Sequence, residues 1–88
     1  MKAGYRLTAH AAYEASRRGV TLDQIEAVVN QPQQIVPNAE GRKVYQSKLR
    51  ITDGRIMLIR LVVEESDDGL VVVTVYRTSK IGKYWSVP

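Results

Sequence analysis

Cysteine is absent from the 88 residues, which removes disulfides, thiolate chemistry and Cys-based zinc sites together and fits a reducing compartment. Histidine occurs once, so a metal site would have to be assembled from one imidazole and carboxylates. There is no glycine-rich phosphate loop, His-Glu-x-x-His helix, Gly-x-Ser-x-Gly elbow or acidic metal cluster, so the expectation is a chain that works without metal or cofactor. Asp67 and Asp68 belong to a turn, and Glu64 and Glu65 point to opposite faces of a strand. Long apolar runs are missing too. The run 70–73 is far too short to span a bilayer and the segment 1–6 has no apolar h-region, so a cytoplasmic protein with no membrane contact is expected.

What the chain does contain is enough for one domain, 1–88, with no repeat, low-complexity tract or long linker. An apolar fraction of 44% can fill a two-layer core, although a domain this small buries only roughly 60 to 65% of its unfolded surface. A net charge of +4 and an isoelectric point near 9.6 bias it toward anionic partners, a bias that ordinary solubility also explains.

The first half is patterned as helices. Residues 4–7 suit a short edge strand, after which Thr8 offers an N-cap hydroxyl to a helix over 9–18 and Gly19 supplies its left-handed end. Thr21-Leu22-Asp23-Gln24 is a capping box, Val20 can staple onto Ile25, and Leu22, Ile25, Val28 and Val29 make the buried stripe of a second helix that Pro32 stops. Periodicity then turns extended. Strands are expected over 33–37, 42–52, 55–65 and 70–78, separated by Glu40-Gly41, Asp53-Gly54 and Ser66-Asp67-Asp68-Gly69, with Asp53-Gly54 suited to a type I′ hairpin. The expected fold is therefore α+β: two N-terminal helices on one face of a four-stranded antiparallel meander, with the segment 4–7 as a further short edge strand.

Alternation along the strands assigns the faces. Val71, Val73 and Val75 are expected under the helices, with Met57, Ile59, Leu61 and Val63 beside them. The opposite face then gathers Arg60, Tyr76 and Thr74, with Gln46, Lys48 and Arg50 if the preceding strand runs in phase. Such a basic, aromatic-bearing surface suits a phosphate backbone, although Arg and Lys stems also cover apolar sheet routinely. The run 76–85 is the most ligand-like segment, interleaving Arg77, Lys80 and Lys83 with Tyr76, Tyr84 and Trp85. His10 lies in the first turn of the first helix, sharing a face with Tyr13, Glu14 and Arg17. As the only side chain that ordinarily titrates near neutrality it is a candidate proton carrier, although a lone histidine in a helix is more often a structural or surface residue than a catalyst.

Leu7-Thr8-Ala9-His10-Ala11, Arg18-Gly19-Val20-Thr21, Val73-Thr74-Val75-Tyr76 and Lys80-Ile81-Gly82-Lys83-Tyr84 together resemble the small bacterial family known as domain of unknown function 4258, whose members are similar to the RelE and BrnT type ribonuclease toxins of toxin-antitoxin modules. The resemblance covers nearly the whole chain. It implies a RelE-like two-layer fold and a metal-independent RNA cleavage that uses the substrate's own 2′-hydroxyl. It carries a functional histidine onto His10, the helix-ending arginine onto Arg18, and the terminal aromatic and basic signature onto Tyr76, Lys80, Lys83 and Tyr84. Glu14 departs from the pattern, since the family often has an arginine there.

The expected catalytic set is thus His10, Tyr76 and Arg60, and the RNA-binding set Arg18, Arg50, Lys80, Lys83 and Tyr84. RNA, free or ribosome-associated, and an antitoxin protein are the implied partners. The alternative is a non-catalytic module of the same fold that grips nucleic acid or protein.

Overall fold

Thr8 ends one element and starts the next. In a computed structural model of the chain, which describes residues 4–87, strand β1 (Tyr5–Leu7) runs into helix α1 (Ala9–Arg18). The Thr8 side chain accepts from the Ala11 N–H at the helix N-terminus. Gly19 closes α1 at φ 71°, and its N–H donates back to Ala15 and Ser16 carbonyls. Helix α2 (Leu22–Asn30) opens with the reciprocal capping box between Thr21 and Gln24. Val20 and Ile25, the staple pair, are both in the core.

Strands β2 (Gln34–Pro37), β3 (Lys43–Arg50), β4 (Ile56–Ser66) and β5 (Gly69–Thr78) follow, and helix α3 (Ile81–Tyr84) ends the fold. The order across the sheet is β1-β5-β4-β3-β2. The four-stranded meander is antiparallel as expected, the segment 4–7 adds the short edge strand β1, which pairs with β5 in parallel, and α3 is a third helix beyond the two expected. The α1–α2 pair covers one face, where Ala11, Ala15, Ile25, Val28 and Val29 meet Ile59, Leu61, Val63, Val72 and Val75. No helix among the described residues is long and apolar enough to cross a membrane.

Three local expectations are corrected. The buried valines of β5 are Val72 and Val75, not Val71, Val73 and Val75. The cause is a bulge: Val62 pairs with Thr74 and Val63 with Val72, so Val73 has no partner on β4 and the alternation changes phase across it. The spare Val73 carbonyl accepts from the Thr8 hydroxyl. Leu22 is 65% exposed. It occupies the first helical position of α2, next to the Thr21 cap. Asp53-Gly54 is not a type I′ turn, because that turn needs positive φ at both residues, and Asp53 is not among the non-glycine residues that have it. Instead the Gly54 N–H donates to Ile51 O and the Ile51 N–H to Arg55 O, while Gly54 alone takes the left-handed conformation at φ 89°. The Asp53 carboxylate accepts the Arg55 backbone N–H, which holds its pKa below the usual range.

The face away from α1 and α2 is not left bare. Residues 81–87 fold back over it, and Gln46 and Leu58 on that face are completely buried.

Candidate functional site

A single register row runs across the covered face. Gln46 pairs with Arg60 and Arg60 with Tyr76, so three neighbouring strands place an amide, a guanidinium and a phenol side by side. Arg60 Nε donates to Gln46 Oε1 at 2.9 Å, and its Nη1 donates to the Tyr76 hydroxyl. Gln46 in turn donates through Nε2 to Gln34 Oε1 at 2.8 Å and to the Tyr84 carbonyl at 3.3 Å. Gln34 holds the backbone of Ser86 from both sides: its Nε2 donates to Ser86 O at 2.6 Å, and Ser86 N donates to its Oε1 at 3.1 Å. An unbroken hydrogen-bonded chain thus links Ser86, Gln34, Gln46, Arg60 and Tyr76.

Rings and cations close around the end of this chain. The Arg60 guanidinium lies 4.3 Å from the Tyr84 ring centroid and 5.3 Å from that of Tyr76. Tyr76 and Tyr84 meet edge to face at 6.0 Å. Arg18, arriving from the end of α1, has its guanidinium carbon 5.9 Å from the Tyr76 ring centroid, and Lys83 sits 5.3 Å from that of Tyr84. Further along the same face Lys48 stacks on Trp85 at 4.1 Å.

The charges around the phenol are unequal. Arg60 is half-buried, yet its hydrogen-bond partners are neutral and it forms no ion pair among the described residues; its Nη2 has no hydrogen-bond partner there. Arg18 is partly neutralised, because its Nε donates to Glu14 at 2.8 Å and Arg17 binds the same carboxylate oxygen. Hydrogen bonds from Arg18 and then Arg17 lower the Glu14 pKa. A phosphate arriving at Tyr76 would meet one guanidinium with no anion of its own and a second with a single carboxylate behind it.

The structure brings together Arg18, Arg60, Tyr76, Tyr84 and Lys83 of the expected residues, and leaves three apart. His10 is exposed, and its side chain makes no hydrogen bond or ion pair among the described residues. It is eight residues, about 12 Å along α1, from Arg18. Arg50 donates to Gly54 O within its own hairpin, four residues or about 13 Å down β3 from Gln46. Lys80 is exposed at the start of α3, and only its backbone is engaged: its N–H donates to the Thr78 hydroxyl and its carbonyl accepts from the Lys83 N–H. Gln46 was visible as a face residue but not as a site residue, and Gln34 was not visible at all. No group of three or more His, Cys, Asp or Glu gathers among the described residues.

The model of the family described as domain of unknown function (DUF4258) matches residues 7–77. The chain belongs to the DUF4258 family. The matched span contains β1 from Leu7, both covering helices and the Gln46–Arg60–Tyr76 row, and it stops before α3, so the DUF4258 match does not reach Tyr84 and the residues that cover the row. Neither a curated protein nor a solved structure matches the chain.

Proposed function

We propose that this DUF4258 domain is a toxin-like ribonuclease that needs no metal and acts at the Arg60–Tyr76 pair. One observation carries the reading: a half-buried guanidinium with only neutral partners donates to a phenol that a second guanidinium flanks. With its lone pair engaged by Arg60, the Tyr76 O–H is left to donate outward, and the Arg60 Nη2 is left for a phosphate oxygen. RNA supplies its own nucleophile. The 2′-oxygen attacks the adjacent phosphorus and loses its proton to water, while the P–O5′ bond breaks. Tyr76 gives its proton to the departing 5′-oxygen and regains one from solvent. Arg60 and Arg18 stabilise the extra charge of the phosphorane. The products are a 2′,3′-cyclic phosphate and a 5′-hydroxyl.

The test is incubation with single-stranded and structured RNA in excess chelator, scoring cyclic phosphate ends, beside a growth assay on induced expression. Tyr76→Phe is expected to lower cleavage by about 10²- to 10⁴-fold, the usual contribution of a positioned acid. Cleavage by Tyr76→Phe at the parental rate refutes the role. Glu14, which partly neutralises Arg18, favours a second reading, a non-catalytic RNA-binding module of the same fold. Binding without any turnover decides for it.

A further inference from the structure

The residues that cover the row are held as a strap is held. Neither α3 nor any other residue of 81–87 is fully buried, so the segment can leave the sheet without opening the core beneath α1 and α2. Its tether to the edge strand β2 is one side chain, Gln34, whose amide makes both hydrogen bonds to Ser86. It also meets the sheet through the Tyr84 carbonyl on Gln46, the Trp85 ring under Lys48, the Tyr84 ring edge to face with Tyr76, and the same ring on Arg60. The last is decisive. A ring lying on a guanidinium is the arrangement that an unstacked nucleobase takes on an arginine. Tyr84 therefore occupies the Arg60 face that a base of bound RNA would use.

We propose that residues 81–87 compete with single-stranded RNA for Arg60, and that Gln34 is the latch holding them in place. The ligand rests on the RNA reading above; the movement does not. An RNA strand binds when the strap lifts, its base replacing the Tyr84 ring and its phosphate reaching Nη2. Apparent affinity is then the intrinsic affinity reduced by the closed fraction, so any change that weakens the latch strengthens binding.

Trp85, the only tryptophan, lies within the strap and reports on it. The experiment measures acrylamide quenching of Trp85 and the affinity for a 2′-O-methyl oligouridylate, which cannot be cleaved, in the full chain, in Gln34→Ala and in Tyr84→Leu. Gln34→Ala is expected to increase quenching and to bind the oligonucleotide at least about fivefold more tightly, the factor expected from removing two hydrogen bonds at the low end of ordinary net strength. Tyr84→Leu, which leaves the latch intact, is expected to bind more tightly as well, and answers independently should Gln34→Ala unfold. Weaker binding by Tyr84→Leu makes the ring a platform for RNA and overturns the proposal. So does increased quenching in Gln34→Ala with unchanged affinity, or no binding by any of the three. A chain that binds the oligonucleotide under these rules but cleaves no RNA supports the strap while the ribonuclease reading falls. Cleavage with affinities insensitive to both substitutions does the reverse.

Discussion

Replacing Gln46 by leucine tests whether the row is held by its amide or merely covers it. Gln46 is completely buried and makes three hydrogen bonds, one of them to the Arg60 guanidinium at 2.9 Å. Leucine fills a similar volume and leaves Arg60 Nε without an acceptor. Losing a hydrogen bond to a charged group costs about 1.5–3 kcal/mol, and the neutral bonds to Gln34 and the Tyr84 carbonyl together about 1–2 kcal/mol more. Added apolar burial returns roughly 1–2 kcal/mol, so the net loss is about 2 kcal/mol. A domain of this length has about 4–13 kcal/mol in all, and the variant still folds. In urea, with a slope of about 1 kcal/mol per M for a small domain, the midpoint followed by far-UV circular dichroism falls by about 2 M. The decisive measurement is the double-mutant cycle with Arg60→Met, which removes the orphaned donor. The pair should be less destabilised than the sum of the singles by about 1.5–3 kcal/mol. Additivity within about 0.5 kcal/mol would show that the two side chains do not depend on each other and refute the reasoning.

His10→Ala should cleave RNA within about twofold of the parent, because a group that contributes about 10²-fold or more must reach the reacting atoms; a larger loss in an initial-rate assay returns His10 to the mechanism. Burial and then the neighbouring Glu65 carboxylate push the Tyr45 phenol up to about 12 from its ordinary 10, so the folded state keeps a proton that the unfolded chain loses. The stability this carries is complete below pH 10 and lost as the pH rises to about 12, a decline of at most roughly 3 kcal/mol. Tyr45→Phe lacks it, so the stability gap between parent and variant, measured in urea at pH 8 and pH 11, should move in favour of the variant at the higher pH. Gly19→Ala should cost about 1 kcal/mol in thermal unfolding: the residue sits at φ 71°, and a Cβ would stand 3.4 Å from the Arg77 guanidinium.

Much of the architecture was legible in short-range patterns. Thr8 and Gly19 bound α1, the Thr21–Gln24 box opens α2, and the turn residues after 38 separate the strands of the meander, because caps and turns depend on a few neighbouring residues. Strict alternation also placed Arg60, Tyr76 and Gln46 on one face. It failed on the first half of β5, where the phase of Val71 and Val73 relative to Val75 depends on how Val62 and Val63 pair with the strand, a choice made between strands. Gln34 and Gln46 were illegible as structural residues because an amide in a strand looks the same whether it meets water or another amide. Only the return of residues 81–87 over the sheet buries Gln46, tethers Ser86 to Gln34 and sets Tyr84 on Arg60. The pairing of distant segments decided those contacts, since a side chain's partners are fixed by what folds over it and not by its neighbours along the chain.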